Sequence, residues 1–474
     1  WRFTEELRSS FSVGGQAVTT EENWVSAYGE DFPGPGDAVV SSAAQTLGFE
    51  GRMRIVNGGF FLQELLDFRN KYFLTLGLRV DGNSAFGEDL GLEAYPKASF
   101  SYVVSDESFW NADYGQLKLR AAWGQAGRAP GAFDAVRTWD PVGWGGLPAF
   151  QPNNLGNSKL GPERTSEIEL GFDGSFFDDR LAMEFTYYSQ ETTDALFSVR
   201  QPPSAGFGGS QLTNVGKIEN KGIEFGVNYT LWDRRDWGAD IGGSVYTNNS
   251  KVLDLGGAAE FGMGGRGYIV EGQPVPVLRG FCVTNPNEKA EPIIEADCDY
   301  GPNLPTKTFG INTMVRMPYS MNLAVRGEYQ GGHYAYNVND GESYTRGIRW
   351  PSCFNAYPDI DAGNISNLTA IERARCIASN ANRDFAIYPQ DFFKVREITF
   401  SAPVPFTVPG ANEARVIFSA RNAIRWQKAK YTFADPETSG GFQRGDTGLN
   451  EATHTIGGSI PTPAIYTFSL RLNF

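Results

Sequence analysis

The last eleven residues, Ala464–Phe474 (AIYTFSLRLNF), restrict the fold of this chain more than any other stretch. Tyr466, Phe468, Leu470, Leu472 and Phe474 occupy successive even positions, with Thr467, Ser469, Arg471 and Asn473 between them. A period of two describes a strand with one apolar and one polar face. In water, an exposed apolar edge of this kind recruits other chains. A closed barrel in lipid removes the edge and satisfies every backbone amide. No run approaches the roughly 20 apolar residues of a spanning helix, so a membrane reading leaves only strands.

The alternation recurs upstream. Gly59–Phe68 and Tyr72–Val80 form a predicted hairpin, and in its second arm Leu74, Leu76 and Leu78 oppose Thr75, Gly77 and Arg79. Tyr95–Val104 sets Phe100 and Tyr102 against Lys97, Ser99 and Ser101, and Leu117, Leu119 and Trp123 then oppose Lys118 and Arg120. Glu163–Asp173 is followed by a turn and by Leu181, Met183, Phe185 and Tyr187 on one face. Further pairs are Lys221–Leu231 with Trp237–Asn249, Thr306–Arg316 with Met321–Gln330, and Phe392–Val404 with Ala414–Asn422. Between Phe393 and Phe400 the apolar phase slips by one, which predicts a bulge near Arg396–Glu397.

These segments predict an all-β, antiparallel transmembrane barrel with roughly fourteen spanning strands. Short connections (68–71, 106–115, 175–180, 232–236, 317–320, 405–411) alternate with long ones (13–57, 83–93, 125–162, 193–219, 250–304, 332–390, 423–463). Short periplasmic turns and long outer loops are the pattern of outer-membrane barrels. A soluble sandwich would carry polar residues on its solvent face, and no blade-length repeat suggests a propeller.

Lys plus Arg number 41 against 55 Asp plus Glu, a net charge of −14 that disfavours a nucleic-acid partner. The four cysteines fall in two local pairs, Cys282 with Cys298 and Cys353 with Cys376, in predicted outer loops and without metal-type spacing. They are read as two disulfides of an oxidising compartment. The opening WRFTEELRSS has none of the parts of a signal peptide, so a leader is expected to have been removed or to lie upstream.

Several stretches resemble one family. KYFLTLGLRVDGNSAFG (Lys71–Gly87) is similar to the R-D-G-S-S-R-F-G strand and loop of SusC/RagA-type TonB-dependent outer-membrane transporters. Leu160–Tyr188, beginning LGPERT, and NVGKIENKGIEFGVNYTL (Asn214–Leu231) resemble segments common to TonB-dependent receptors. DFFKVREITFSAPVP (Asp391–Pro405) with ARNAIRW (Ala420–Trp426) resembles the close of the SusC type, and Phe474 its terminal aromatic insertion signal. The resemblance implies a barrel of about 22 strands with an N-terminal plug and a TonB box. Residues 1–474 are therefore expected to be the C-terminal portion of such a barrel, lacking plug and box. In that case Ala464–Phe474 pairs with Ala414–Asn422 on one side only. Pairing with Trp1–Ser12 would instead favour a passive fourteen-stranded porin.

The function so implied is active import of a nutrient, an oligosaccharide or a peptide, across the outer membrane of a Gram-negative bacterium. Implied partners are a SusD-like surface lipoprotein and the TonB–ExbB–ExbD complex. The rivals are the porin and a structural or adhesive surface barrel. Enzymatic activity is not expected. The two histidines, His333 and His454, fall in predicted loops, and neither a catalytic triad nor a multi-histidine metal site is expected. No cofactor or metal is expected, since acidic residues at Glu295, Asp297 and Asp299 are more commonly a solvated loop than a calcium site. The outer-loop aromatics Trp139, Trp144, Tyr334, Tyr336, Tyr344 and Trp350 are candidates for stacking on substrate, with packing of the loops on themselves as the alternative. Arg79, Lys97, Lys118, Arg120 and Arg326 are expected to line the lumen and set its field, with ordinary ion pairs near Glu167, Glu169 and Glu328 as the alternative. Glu163 and Glu224 are expected to be lumenal hydrogen-bond partners. Alkylation without reduction is expected to label none of the four cysteines, and mass spectrometry showing a modified member of either pair would refute the disulfides.

Overall fold

In the computed structural model of the chain, the residues described are 1–474 except 2, 37–38, 203, 205–206, 208, 378–384, 429–434, 438–454 and 457–461. His454 therefore lies outside them. They divide into two compact units, one of Trp1–Phe100, Ala122–Ser166 and Thr192–Val215, the other of Ser101–Ala121, Glu167–Glu191 and Gly216–Phe474.

In the first unit, β1 (Leu7–Glu30) and β2 (Gln45–Phe68) pair from Leu7 with Phe68 to Glu30 with Gln45, without a break in register. β3 (Tyr72–Asn83) continues the ladder from Tyr72 with Phe68 to Asn83 with Asn57. β4 (Glu93–Val103), β5 (Gln116–Arg128) and β6 (Glu163–Phe176) follow in sheet order. The expectation of a loop over 13–57 is corrected here, since those residues form most of a pair of 24-residue strands. Their glycines and polar side chains bury little, so alternation is weak. What holds the pair is the continuous backbone ladder, which leaves no trace in hydropathy.

In the second unit the order continues through β5, β6, β7 (Leu181–Thr193), β8 (Lys217–Asp233), β9 (Gly238–Thr247), β10 (Lys307–Met317), β11 (Met321–Gly331), β12 (Phe392–Pro403), β13 (Glu413–Gln427) and β14 (Ile465–Asn473). The pairs from β8 to β14 are antiparallel. Tight turns at 69–71, 177–180 and 318–320 join neighbours where short connections were expected. Register shifts at Val395/Glu397 and Arg326/Gly327 place the bulge at Arg396. The bulge returns Ile398 and Phe400 to the face of Phe393 and Val395 despite their opposite parity. β14 pairs with β13 from Ile465 with Arg421 to Asn473 with Glu413. Within this unit β13 is its one neighbour among the described residues.

Each unit turns an apolar face outward. Leu76 on β3 is 47% exposed and Phe468 on β14 is 72% exposed, whereas Thr75, Arg79, Glu167 and Glu169 are half-buried on the opposite face. A sheet that exposes its Leu and Phe and half-buries its charges suits hydrocarbon outside and a polar interior. No described helix is long and apolar enough to cross a membrane.

Gly222 on β8 shows why a glycine belongs in such a wall. A Cβ there would fall on the carbonyl oxygen of Thr247 and the hydroxyl of Tyr188. The absent side chain lets the end of β9 close against β8. Asn214 and Gly161, one from each of two family-like motifs, meet in the first unit. The carboxamide of Asn214 accepts from Gly161 N at 2.8 Å and donates to Gly161 O at 2.9 Å and Asp194 O at 3.0 Å.

The long connections carry structure of their own. In the first unit Thr138–Trp144 pairs with Leu147–Asn154, and Leu196–Arg200 with Ser210–Asn214. In the second, Phe261–Gly264, Gly267–Ile269, Val277–Val283 and Ile294–Pro302 form a four-stranded sheet. Helices Val338–Thr345, Tyr357–Asp361 and Ala370–Cys376 lie between β11 and β12. Cys282 is bonded to Cys298 across the sheet, and Cys353 to Cys376 between a turn and a helix. Leu278, Tyr336, Tyr344, Cys353 and Ile387 are buried together in one small core.

Leu76→Arg is expected to cost about 2–4 kcal/mol if the residue sits near the bilayer midplane, and Thr75→Arg on the opposite face far less; the folded fraction read by heat-modifiable electrophoretic mobility separates the two. Reducing the disulfides is expected to destabilise the outer loops by about 2–4 kcal/mol per bond, seen as faster proteolysis between residues 256 and 390 with the wall strands left intact.

Candidate functional site

On the polar face of the first unit, Arg79 holds Asp81 at 2.7 Å beside Tyr95, Lys97 and Gln63 around a 480 Å³ cavity. Lys97 lies across Gly77 and makes no ion pair among the described residues. On the same face of the second unit, Asp173 receives Lys118 at 3.4 Å and Arg120 at 3.1 Å, and Arg120 also donates to Thr186 Oγ1 at 2.7 Å. Arg326 stands opposite Glu397 on β12. Three of the five expected lumenal cations are thus committed to aspartates, and Lys97 and Arg326 make no ion pair among the described residues.

The carboxylates expected as lumenal partners divide in the same way. Glu163 accepts from Leu196 N at 3.2 Å at a loop base. Glu167, Glu169 and Glu224 share a 380 Å³ cavity with Tyr188, Gln190 and Asn220. None of the three glutamates has a cation partner among the described residues. Gln190 instead donates to Glu167 at 2.9 Å, and Tyr188 stacks on Tyr246 with ring centroids 6.5 Å apart. Carboxylates, amides and phenols on a polar wall can accept and donate hydrogen bonds to a polar solute.

The six loop aromatics do not behave alike. Trp139, on the hairpin of the first unit, is 51% exposed with the Arg137 guanidinium 6.0 Å from its ring. The backbone of Trp144 lies on the same hairpin. Tyr336 and Tyr344 are buried in the loop core of the second unit, and Tyr334 and Trp350 pack against it. For these four the structure realises packing of the loops on themselves. A stacking role is compatible with the exposed ring of Trp139.

Asp340 is what these loop aromatics surround. It is 0% exposed and accepts from Trp350 Nε1 at 2.6 Å and Tyr388 OH at 2.9 Å, while the Tyr344 and Tyr388 hydroxyls are 2.7 Å apart. Burial pushes the Asp340 carboxyl above its ordinary value, and the donors from Trp350 and the two tyrosines only partly oppose it. Burial likewise pushes the Tyr388 phenol well up. Arg279, fixed by Asp299 at 2.7 Å and Glu260 at 2.6 Å, is held firmly charged by the Asp299 hydrogen bond.

Sequence reasoning missed a further cluster on the second unit's wall. Lys394 and Arg396 on β12 and Arg425 on β13 hold the carboxylates of Asp435 and Glu437. Parity on β12 places Lys394 on the polar face, but its partners lie 41 and 43 residues further on, with no spacing rule to connect them. Of the residues expected to form an insertion signal, Tyr466, Phe468 and Leu470 are exposed on the apolar face of β14, Phe474 is exposed just beyond it and Leu472 is half-buried.

An antiparallel wall with an apolar exterior, a charged inner face and disulfide-pinned loops defines an outer-membrane β-barrel protein. The sequence matches the family model of the TonB dependent receptor-like β-barrel over residues 2–368, and the chain belongs to that family. It is 29% identical over 462 residues to TonB-dependent receptor P26 of Formosa agariphila, covering 86% of this chain and 45% of that protein. It is 26% identical over 208 residues to TonB-dependent receptor SusC of Bacteroides thetaiotaomicron, covering 40% of this chain and 20% of that one. All of this chain superposes on 54% of a chain in the structure of the RagAB peptide transporter, with a TM-score of 0.79 and 16% identity, a likeness of fold. The chain spans about half the length of that structure and of P26. The relatives are receptors and transporters, not enzymes.

Asp340→Ala, which removes the carboxylate that accepts from Trp350 Nε1 and Tyr388 OH, is expected to destabilise the outer loops by about 1–3 kcal/mol, with Asp340→Asn milder. Because the folded loops hold the Asp340 proton more tightly than unfolded loops do, this residue's contribution to stability is fully present in acid and is lost as pH rises through the raised value. Limited proteolysis of the loops across pH is expected to show that component in the native protein and not in Asp340→Asn.

Proposed function

We propose that the chain is the wall and outer-loop portion of an active importer that carries a polar nutrient, a peptide or an oligosaccharide, across the outer membrane with energy delivered through TonB. The observation that carries this reading is the inner face itself. It sets carboxylates, amides and stacked tyrosines around cavities of several hundred Å³, which suits a polar, oligomeric solute. The family assignment supports coupling to TonB, and the names of SusC and of the RagAB peptide transporter support the two solute classes. The disulfide-pinned loop unit is rigid enough to dock a SusD-like lipoprotein, the partner we propose. Residues 1–474 are further proposed to form the C-terminal part of the barrel, with a plug and TonB box supplied elsewhere in the protein.

Cells producing the full-length protein are expected to accumulate one labelled class, peptide or oligosaccharide, and to lose accumulation on dissipation of the proton-motive force. Trp139→Ala is expected to raise the half-saturating concentration several-fold if its ring contacts solute. Accumulation indifferent to a protonophore would establish a passive porin instead.

A further inference from the structure

The wall of the second unit holds a cation cluster that the chain itself occupies. Lys394 and Arg396 on β12 and Arg425 on β13 face one wall carboxylate, Glu328 on β11, which Arg396 holds at 2.8 Å. Three cations against one anion leave this patch with a net charge of +2. Neighbouring charges are engaged elsewhere, Glu397 with Arg421 at 3.6 Å and Asp391 with Lys428 at 3.0 Å. The balance comes from Asp435-Pro436-Glu437. Lys394 Nζ lies 2.6 Å from Asp435 Oδ1, and the two side chains are 2% and 3% exposed. Arg396 Nη1 reaches Glu437 Oε2 at 2.6 Å, and Arg425 reaches Asp435 at 3.3 Å.

The contacts extend to the peptide backbone. Gln390 Nε2 donates to the carbonyl of Pro436 at 3.0 Å, while the buried Oε1 of the same side chain has no hydrogen-bond partner. Glu437 N caps Asp435 Oδ1 at 3.0 Å. Burial works against ionisation of Asp435 and Glu437, and the hydrogen bonds from Lys394 and Arg396 outweigh it, so both carboxyls lie below their ordinary values. They are anions in this site.

The cations are fixed on strands and the anions are carried by a connection, so the two halves differ in what they can do. Bringing both partners out of water offsets much of the attraction between them, while leaving either set buried without the other is strongly unfavourable. The wall therefore requires two carboxylates at this point and specifies little about which molecule supplies them. We propose that the Lys394–Arg396–Arg425 cluster is a binding site for an acidic peptide segment, and that Asp435-Pro436-Glu437 fills it in cis and must be displaced by such a ligand. A peptide is favoured over another dianion because Gln390 reads a main-chain carbonyl between the two carboxylates. This site goes beyond the proposed import, and its test measures binding alone, so that either can fail without the other.

The test uses the full-length protein, purified in detergent, carrying Asp435→Asn with Glu437→Gln. The probe is a fluorescent pentapeptide Ala-Asp-Pro-Glu-Thr, with Ala-Asn-Pro-Gln-Thr and a trimeric uronate as controls. The emptied site is expected to bind the acidic peptide at least about tenfold tighter than the native protein does, and adding Lys394→Met is expected to abolish the gain. Equal affinity in native and variant proteins would overturn the proposal. So would equal binding of the neutral peptide, and a uronate that binds as tightly as the acidic peptide would overturn the assignment to peptides. Should the double variant fail to assemble, Glu437→Gln alone, which leaves Arg396 its bond to Glu328, is expected to show a smaller gain in the same direction, and native-like affinity there would also refute the site.

Discussion

The structure depends above all on a requirement of the backbone. In hydrocarbon every N–H and C=O must find a partner inside the protein, and from β2 to β13 each wall strand has a neighbour on both sides among the described residues. From β8 to β14 each strand is antiparallel to the one before it in sheet order. Once the ladder is in place, alternation divides the side chains with no further choice. Leu74, Leu76 and Leu78 go to one face, and Thr75, Gly77 and Arg79 to the other. The apolar face then needs lipid, and the polar face becomes available for chemistry.

What the polar face does with its charges follows from partnership more than from number. Arg79 is neutralised by Asp81 on its own strand, while Lys118 and Arg120 share Asp173 and keep one positive charge between them. Glu167, Glu169 and Glu224 are left with hydrogen bonds alone, and Lys394, Arg396 and Arg425 with carboxylates from a distant connection. The loops follow a different logic, since they pack as small soluble domains do, around buried Tyr336, Tyr344 and Asp340 and with two disulfides. A core of that size needs covalent help to stay folded.

The wall strands from Tyr72 onward were legible because lipid on one side and water on the other imprint a period of two on the side chains. Even the bulge at Arg396 was visible as a slip of phase. β1 and the first half of β2 were not legible, because residues such as Gly15, Gln16 and Thr19 are held by the ladder and stay exposed. Loop structure was hidden for a related reason. A stretch such as Tyr334–Trp350 has no long periodicity, so the aromatic residues that look like an open stacking surface are in fact the core of the loop unit.

The sequence by itself determined the fold class, the facing of the strands, the outer-membrane environment and the family, because each of these is written in local alternation or in contiguous motifs. Only the tertiary structure decided which charges are spent on each other, that two of the six candidate aromatics are buried with two more packed against them, and that Asp435 and Glu437 lie on Lys394 and Arg396. The last of these depends on residues 41 positions apart meeting in space. A pattern of period two carries no information about such distances. The terminal strand shows both halves of the lesson, its apolar face being readable from AIYTFSLRLNF alone and its register against β13 being set only by the ladder that joins them.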